Sequence, residues 1–412
     1  MKLLVFAHTP PPHHGQSYMV QLMLEGFGGD RWRPRAPVAG PSPYGIACYH
    51  VNARVSRGLA DIGGFHFRKV FLLLGYCAQA IWCRYRHGVK ILYYVPSPGK
   101  RAALMRDWIV LALCRPFYPR IVFHWHAAGL AQWLEGSAQR RIRSLTCRLL
   151  KGVDLSIVLS DYNCADAEQL WPKRVVVVHN GTPDPCPDFE RQVLPRRLAR
   201  AGAQRRLLCG QALTAAEQVA AGPLPGLVNV LYLAHCTRDK GLFDAVASVR
   251  LANGDLAQRQ VPVRLKLRVA GAFVEERERV EFDRLLAEPG AATEIEYLGF
   301  VSGPQKHQAL VDADLFCFPT FFGNENQPVN LIEAFAYGLP VVTTRWRSVA
   351  ESLPPGYPGL AEPRHPEQIA VALLEVILAA PQRALREHFL KHFTVERHLA
   401  NLAQALKQVA DP

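Results

Sequence analysis

The sequence predicts an α/β protein made of two doubly wound, parallel-sheet domains facing each other across a cleft. Three observations lead there. Short apolar runs of strand length recur along the chain, and stretches with helical spacing separate them. The pattern restarts at Val228 after a tract rich in Pro, Gly and Arg, so it occurs twice. With 412 residues, 49% hydrophobic and 20% charged, the chain can bury two cores.

The first half, residues 1–183, opens with a strand from Leu3 to Ala7, a Pro-rich loop and a helix from about Gln16. Further strands are expected at 91–94, 121–126, 155–159 and 175–179. Residues 184–226 contain no good strand and read as a basic interdomain connection. The second domain, 227–390, has strands expected at 228–234, 263–270, 295–298, 315–319 and 341–344. Helices are expected at 242–251 and 275–286, with a C-terminal helix over 391–412.

The most informative segment runs from Gly323 to Val342. A buried strand before it ends near Pro319, and a polar loop then leads to a helix. Pro328 suits the first helical turn, where a missing N–H costs nothing. Val329, Ile332 and Ala336 supply apolar helical spacing, Gly338 caps the end, and Pro340 blocks continuation. Such a loop lies at the carboxyl end of the sheet, where ligands bind. The helix N-terminus suits a phosphate or diphosphate. Glu325 and Glu333, with seven residues between them, repel that anion and suit hydroxyl groups instead. Together they describe a nucleotide-sugar pocket. Outside this context the same pair would read as a loop residue and a solvated helix residue.

This segment resembles the E-x(7)-E signature of glycosyltransferase family 4, the retaining group 1 transferases of the GT-B fold. Glu325-Asn326-Gln327-Pro328 is similar to the Glu-Gly-Gln-Pro variant of polysaccharide-building members, with Asn326 where that variant has Gly. The resemblance is specific from about Val228 to Glu351 and looser before it. It implies that Glu325 holds sugar hydroxyls, Glu333 holds ribose hydroxyls, and Asn326 and Gln327 line the donor site. Lys240, in Thr237-Arg-Asp-Lys-Gly241 after the first strand of the second half, matches the family's diphosphate-binding lysine. His235 stands where the family often has a second phosphate-binding Arg, and Arg238 is a weaker substitute for it. Val301 matches the strand end that offers backbone groups to the nucleobase. Pro10-Pro-Pro-His-His-Gly15-Gln16-Ser17 is similar to the family's donor loop, with Gly15 and Gln16 as donor contacts. His126, in His124-Trp-His126, matches a histidine lining the sugar and acceptor pocket, although a satisfied core histidine is its plain alternative. Asp312 and Asp314 lie between a helix end and a buried strand and read as structural, so no metal and no cofactor beyond the donor substrate are expected.

The ten cysteines are scattered without metal-ligand spacing, as buried thiols of a reducing compartment are. No export signal is evident, and the apolar run 70–83 falls short of a bilayer span. A cytoplasmic protein is expected, peripheral on the cytosolic face of a membrane. The net charge of +13 is uneven. Arg140, Arg141, Arg143 and Arg148, then Arg196 and Arg197, lie in acid-free stretches that suit anionic lipid. No nucleic-acid module accompanies them. The resemblance implies a retaining, metal-independent glycosyltransferase. It would move sugar from a nucleotide-diphosphate sugar to a glycan or lipid-linked acceptor in surface polysaccharide synthesis. A GT-B epimerase or phosphorylase would share the fold, and a non-catalytic nucleotide-sugar-binding protein would share the pocket.

Overall fold

The computed structural model describes residues 1–11, 15–34, 42–54, 67–136, 138–379 and 382–410. The chain divides into two units, one of Met1–Thr182 with Val395–Pro412, the other of Pro183–Thr394. The first unit contains strands β1 (Lys2–Ala7), β2 (Ala47–Asn52), β3 (Ile91–Tyr94), β4 (Arg120–His124), β5 (Leu155–Val158) and β6 (Val175–Val177). Its helices are α1 (Gly15–Gly26), α2 (Phe67–His87), α3 (Arg101–Cys114), α4 (Leu130–Gly136), α5 (Arg140–Leu150) and α6 (Cys164–Glu168). The strands form one parallel sheet in the order β2-β1-β3-β4-β5-β6. Nearly every residue of β1, β3 and β5 is buried, as a sheet covered by helices on both faces requires.

The second unit begins with helices α7 (Leu194–Leu208) and α8 (Ala215–Ala221). Its strands are β7 (Leu227–Leu233), β8 (Arg264–Ala270), β9 (Ile295–Gly299), β10 (Leu315–Phe318), β11 (Val341–Thr344) and β12 (Leu360–Ala361). Between and after them come α9 (Leu242–Gln258), α10 (Glu276–Leu286), α11 (Ala291–Glu294), α12 (Gly303–Asp312), α13 (Val329–Ala336), α14 (Pro366–Ala379) and α15 (Gln382–His392). This sheet is also parallel, in the order β12-β11-β10-β7-β8-β9. Its strand order reverses at the β7–β10 pair, where Leu315 lies opposite Val230 and Phe316 opposite Leu231.

Residues 184–226 are helical and packed within the second unit, because their arginines serve its interior. Arg197 is a correction to the sequence reading of a membrane-facing residue. It is only 4% exposed, and its guanidinium donates to the carbonyls of Ala313 (2.7 Å) and Leu310 (3.1 Å). Those carbonyls end α12, where a cation satisfies orphan acceptors and the negative end of the helix dipole. Arg200 grips Asp314 with two hydrogen bonds of 2.7 and 2.8 Å, and Asp314 also accepts from the Asn229 N–H at 2.8 Å. Arg196, by contrast, is exposed, 3.6 Å from Asp312.

The last helix, α16 (Val395–Ala410), returns to the first unit. Leu399, Leu402, Ala403, Leu406 and Val409 join the core formed by Leu3, Val5, Val20 and Ile91. His398 is buried with them and donates from Nδ1 to the His179 carbonyl at 2.6 Å. Burial pulls its imidazole down to about 4.

Two outcomes follow from this packing. Arg200→Ala strands the buried Asp314 carboxylate and lowers stability by about 3–5 kcal/mol in urea unfolding, whereas Arg196→Ala changes it by less than about 1 kcal/mol. Unfolded His398 takes a proton near pH 6.5, while the folded residue resists protonation until about pH 4. Stability is therefore unaffected by this group above pH 6.5 and falls progressively between pH 6.5 and 4, by roughly 3 kcal/mol in total. His398→Phe flattens that slope, read as urea midpoints across the interval.

Candidate functional site

In the second unit, the loop after β7 turns sharply into α9. Gly241 caps that helix at φ +83°, and a Cβ there would lie 2.2 Å from the Pro319 carbonyl oxygen. Both the left-handed backbone and the close approach demand glycine. The loop after β10 lies against this turn: Phe321 N–H donates to the Asp239 carbonyl at 2.8 Å. Two loops from the point of strand reversal are thus stitched together, and ligands of doubly wound sheets bind at such a point.

Lys240 and Glu325 meet there. The Lys240 Nζ is 2.7 Å from Glu325 Oε2, which also accepts from Thr320 Oγ1 at 3.0 Å. The ammonium lies 4.3 Å from the centre of the Phe322 ring, a cation–π distance. Glu325 is only 7% exposed, so this neighbouring cation compensates a carboxylate taken out of water.

The helix α13 starts at Val329, with Pro328 as its N-cap in an extended conformation rather than inside the first turn. No side chain caps it. Asn330 Nδ2 donates to the Leu233 carbonyl at 2.8 Å, tying the first turn to the end of β7. At the other end, Gly338 (φ +56°) donates to Phe335 O at 2.9 Å and Leu339 to Ala334 O at 2.9 Å. This is a Schellman motif, the stop that Gly338 predicted. Glu333, further along α13, receives Lys306 Nζ at 2.6 Å from α12. Asn326 and Gln327 are buried. Ser348 Oγ donates to the Asn326 carbonyl at 2.8 Å, and Asn326 Nδ2 is a buried donor with no partner among the described residues. Val301 lies two residues beyond the end of β9 and one before Ser302, the N-cap of α12, and is half-buried against the core.

The charges around Lys240 offer no second cation. Burial first, and Lys240 second, hold the His235 imidazole below its usual range. It stays neutral at pH 7 and adds no second cation. The Arg238 guanidinium pairs with Glu281 and stacks 4.4 Å from the Phe243 ring centre, so it is committed elsewhere. Glu278, buried on α10, accepts from the Arg238 backbone N–H at 2.7 Å and so fixes the loop that carries Lys240. Burial raises its carboxyl above the usual range. Lys306, Thr320, Glu278 and Ser348 escaped the sequence reading. Each matters through a tertiary neighbour, and no local spacing marks them.

Gly15, Gln16 and His126 belong to the first unit. Gly15 and Gln16 open α1, while Pro12, His13 and His14 of the expected donor loop lie outside the described residues. His126 stands two residues beyond β4, because that strand ends at His124. The two imidazole rings are 4.2 Å apart. His124 is buried, with Nδ1 bonded to the Tyr93 hydroxyl, and burial holds it well below its usual range. His126 is half-buried and is the more accessible of the two. Among the described residues no group of three or more His, Cys, Asp or Glu could hold a metal ion.

Residues 229–378 match the family model described as glycosyl transferases group 1. A putative colanic acid biosynthesis glycosyltransferase, WcaL, of Salmonella typhimurium is 27% identical over 198 residues, 44% of this chain and 46% of the relative. Its Escherichia coli counterpart is 28% identical over 196 residues, 43% of this chain and 45% of the relative. The chain thus spans about half the length of the curated relatives it matches. The structure is similar to Anabaena Alr3699/HepE in complex with UDP (TM-score 0.63, 15% identity, 99% of this chain and 100% of that one). It is also similar to sucrose-phosphate synthase from Thermosynechococcus elongatus (TM-score 0.66, 16% identity, 100% of this chain and 99% of that one). These likenesses give the fold: the two doubly wound units are those of the GT-B architecture, and the group 1 match falls on the second.

Proposed function

We propose that the protein is a retaining glycosyltransferase that transfers sugar from a nucleotide-diphosphate sugar to a hydroxyl of a glycan or lipid-linked acceptor, in cell-surface polysaccharide synthesis. The observation that carries this reading is the meeting of Lys240, Glu325 and the uncapped start of α13 at the strand-order reversal. The group 1 match over 229–378, the colanic acid relatives and the UDP complex of a structural neighbour support it.

In the reaction, the acceptor oxygen forms a bond to the anomeric carbon on the face from which the diphosphate leaves. The bond from that carbon to the phosphate oxygen breaks, and the departing phosphate takes the acceptor's proton. Charge therefore builds on the diphosphate. A preorganised ammonium and a helix N-terminus stabilise that charge where it develops, without a metal. Lys240 supplies the first and α13 the second. Its ion pair with Glu325 must then be exchanged: the diphosphate takes Lys240, and sugar hydroxyls donate to Glu325. Glu333 accepts from the ribose hydroxyls, with Lys306 holding its carboxylate. Asn326 and Gln327 line the donor, Val301 offers backbone groups to the base, and Gly15, Gln16 and His126 serve the sugar and acceptor side. The acceptor is proposed to sit at the cytosolic face of an anionic membrane, drawn by the exposed Arg140, Arg141, Arg143 and Arg148 of α5. All ten cysteines are free thiols, in keeping with a reducing compartment.

A thermal-shift panel of UDP, GDP and ADP sugars, with and without EDTA, tests the donor. At a hundredfold over its dissociation constant a true donor stabilises by about 2.7 kcal/mol, and Glu333→Ala abolishes the shift. Glu325→Gln loses one charge-assisted contact, costing about 1.5–3 kcal/mol, or ten- to a hundredfold in turnover. Wild-type turnover by that variant, or donor binding with no transfer to any acceptor, would sink the catalytic reading. Glu278→Ala frees the Lys240 loop and lowers donor-dependent turnover by about ten- to a hundredfold. Glu281→Ala, which removes only the exposed partner of Arg238, leaves turnover unchanged.

A further inference from the structure

The helix α2 turns an uncharged face to solvent. Residues 70–83 include no Asp, Glu, Lys or Arg, which is about 21 Å of helix at 1.5 Å per residue. Its inner side, Leu73, Cys77, Ala80 and Cys83, packs into the core. Its outer side presents Phe71 (73% exposed), Leu74 (42%), Trp82 (50%) and Tyr85 (70%), spaced along one helical stripe. Phe117 continues the stripe, its ring 6.2 Å from that of Tyr85, and its carbonyl accepts from Arg84 Nε at 3.0 Å. A contiguous exposed face of this kind, with aromatic rings at both ends, marks an interaction surface.

The charges around the stripe select its partner. Those on α2 lie at its two ends, and all are basic: Arg68, Lys69, Arg84 and Arg86. Behind it, α3 is bound to α5 through Trp108 Nε1 to Thr146 Oγ1 (3.0 Å), and through Arg115 Nη1 to the Leu149 carbonyl (2.7 Å). The one carboxylate on these three helices is Asp107, fully buried and accepting from the Tyr94 hydroxyl at 2.6 Å and the Ser97 N–H at 2.8 Å. A second copy of this chain is a poor occupant. Whether two α2 helices packed parallel or antiparallel, each basic end would face a basic end. An anionic surface that also accepts aromatic rings fits both features.

We infer that α2 seats the first unit on an anionic lipid surface. Phe71, Trp82 and Tyr85 enter the boundary between headgroups and acyl chains, and the arginines at the helix ends and on α5 meet lipid phosphates. Among the described residues no single helix is long and apolar enough to cross a membrane, so α2 lies in the interface plane. This inference deepens the surface reading above and rests on it: α5 supplies attraction, and α2 supplies insertion.

Vesicle flotation of the full chain separates the two. Phosphatidylcholine vesicles are compared with phosphatidylcholine–phosphatidylglycerol vesicles, with oligomeric state followed by light scattering. The wild type floats only with the anionic vesicles. The variant Phe71→Ser/Trp82→Ser/Tyr85→Ser loses about tenfold or more in partition and keeps its thermal shift with nucleotide sugar. Arg140→Gln/Arg141→Gln/Arg143→Gln also loses partition. If the α2 variant floats like the wild type while the α5 variant does not, the α2 inference fails and the surface reading stands. If the wild type ignores anionic vesicles, both fail. A wild-type dimer that the α2 variant converts to monomer overturns the inference in favour of a self-interface.

Discussion

The parallel pairing of β7 with β10 is the constraint on which the site depends. Strands next in space but not in sequence leave a gap between their outgoing chains, and both chains must turn there at the same edge. The gap is narrow: Gly241 brings backbone against the Pro319 carbonyl, and Asp239 accepts from Phe321. Lys240 and Glu325, 85 residues apart in sequence, are thereby held within one hydrogen bond. Neither side chain needs a loop of its own design, because the sheet fixes where both loops begin.

The chain uses its arginines in two opposite ways. Arg197 and Arg200 are buried and satisfy carbonyls and Asp314 inside the second unit. Arg140, Arg141, Arg143 and Arg148 stand in solvent on a helix without acids. In sequence both groups look alike, as clusters of arginine without carboxylates. What separates them is the partner: Asp314 lies 114 residues from Arg200. An acid-free stretch therefore says nothing by itself about exposure.

Much of the fold was legible because its signals are local. Gly338 and Pro340 mark the end of α13, and apolar runs mark β7, β10 and β11 before any tertiary contact is known. The edge strand β2 was not legible. Its sequence Ala-Cys-Tyr-His-Val-Asn mixes polarities, and its burial of His50 depends on a bond to the Ala7 carbonyl at 2.8 Å. The helical character of 184–226 was hidden by its arginines, which read as solvent-facing until their acceptors are placed. At the site, Lys240, Glu325 and Glu333 stood out by motif. The residues that hold them, such as Lys306 and Glu278, carry no motif, since any residue of suitable reach and charge could serve.

The return of α16 to the first unit has a consequence for synthesis. Domains usually fold in the order in which they are made. Here the sheet led by β1 lacks Leu399, Leu402, Leu406 and Val409 until residues 395–410 have been made. The segment between Pro183 and Thr394 can close its own core before then. The unit translated first is thus completed last. Until residues 395–410 emerge, its partly built core keeps apolar surface exposed, and transiently exposed surface of this kind is what chaperones cover.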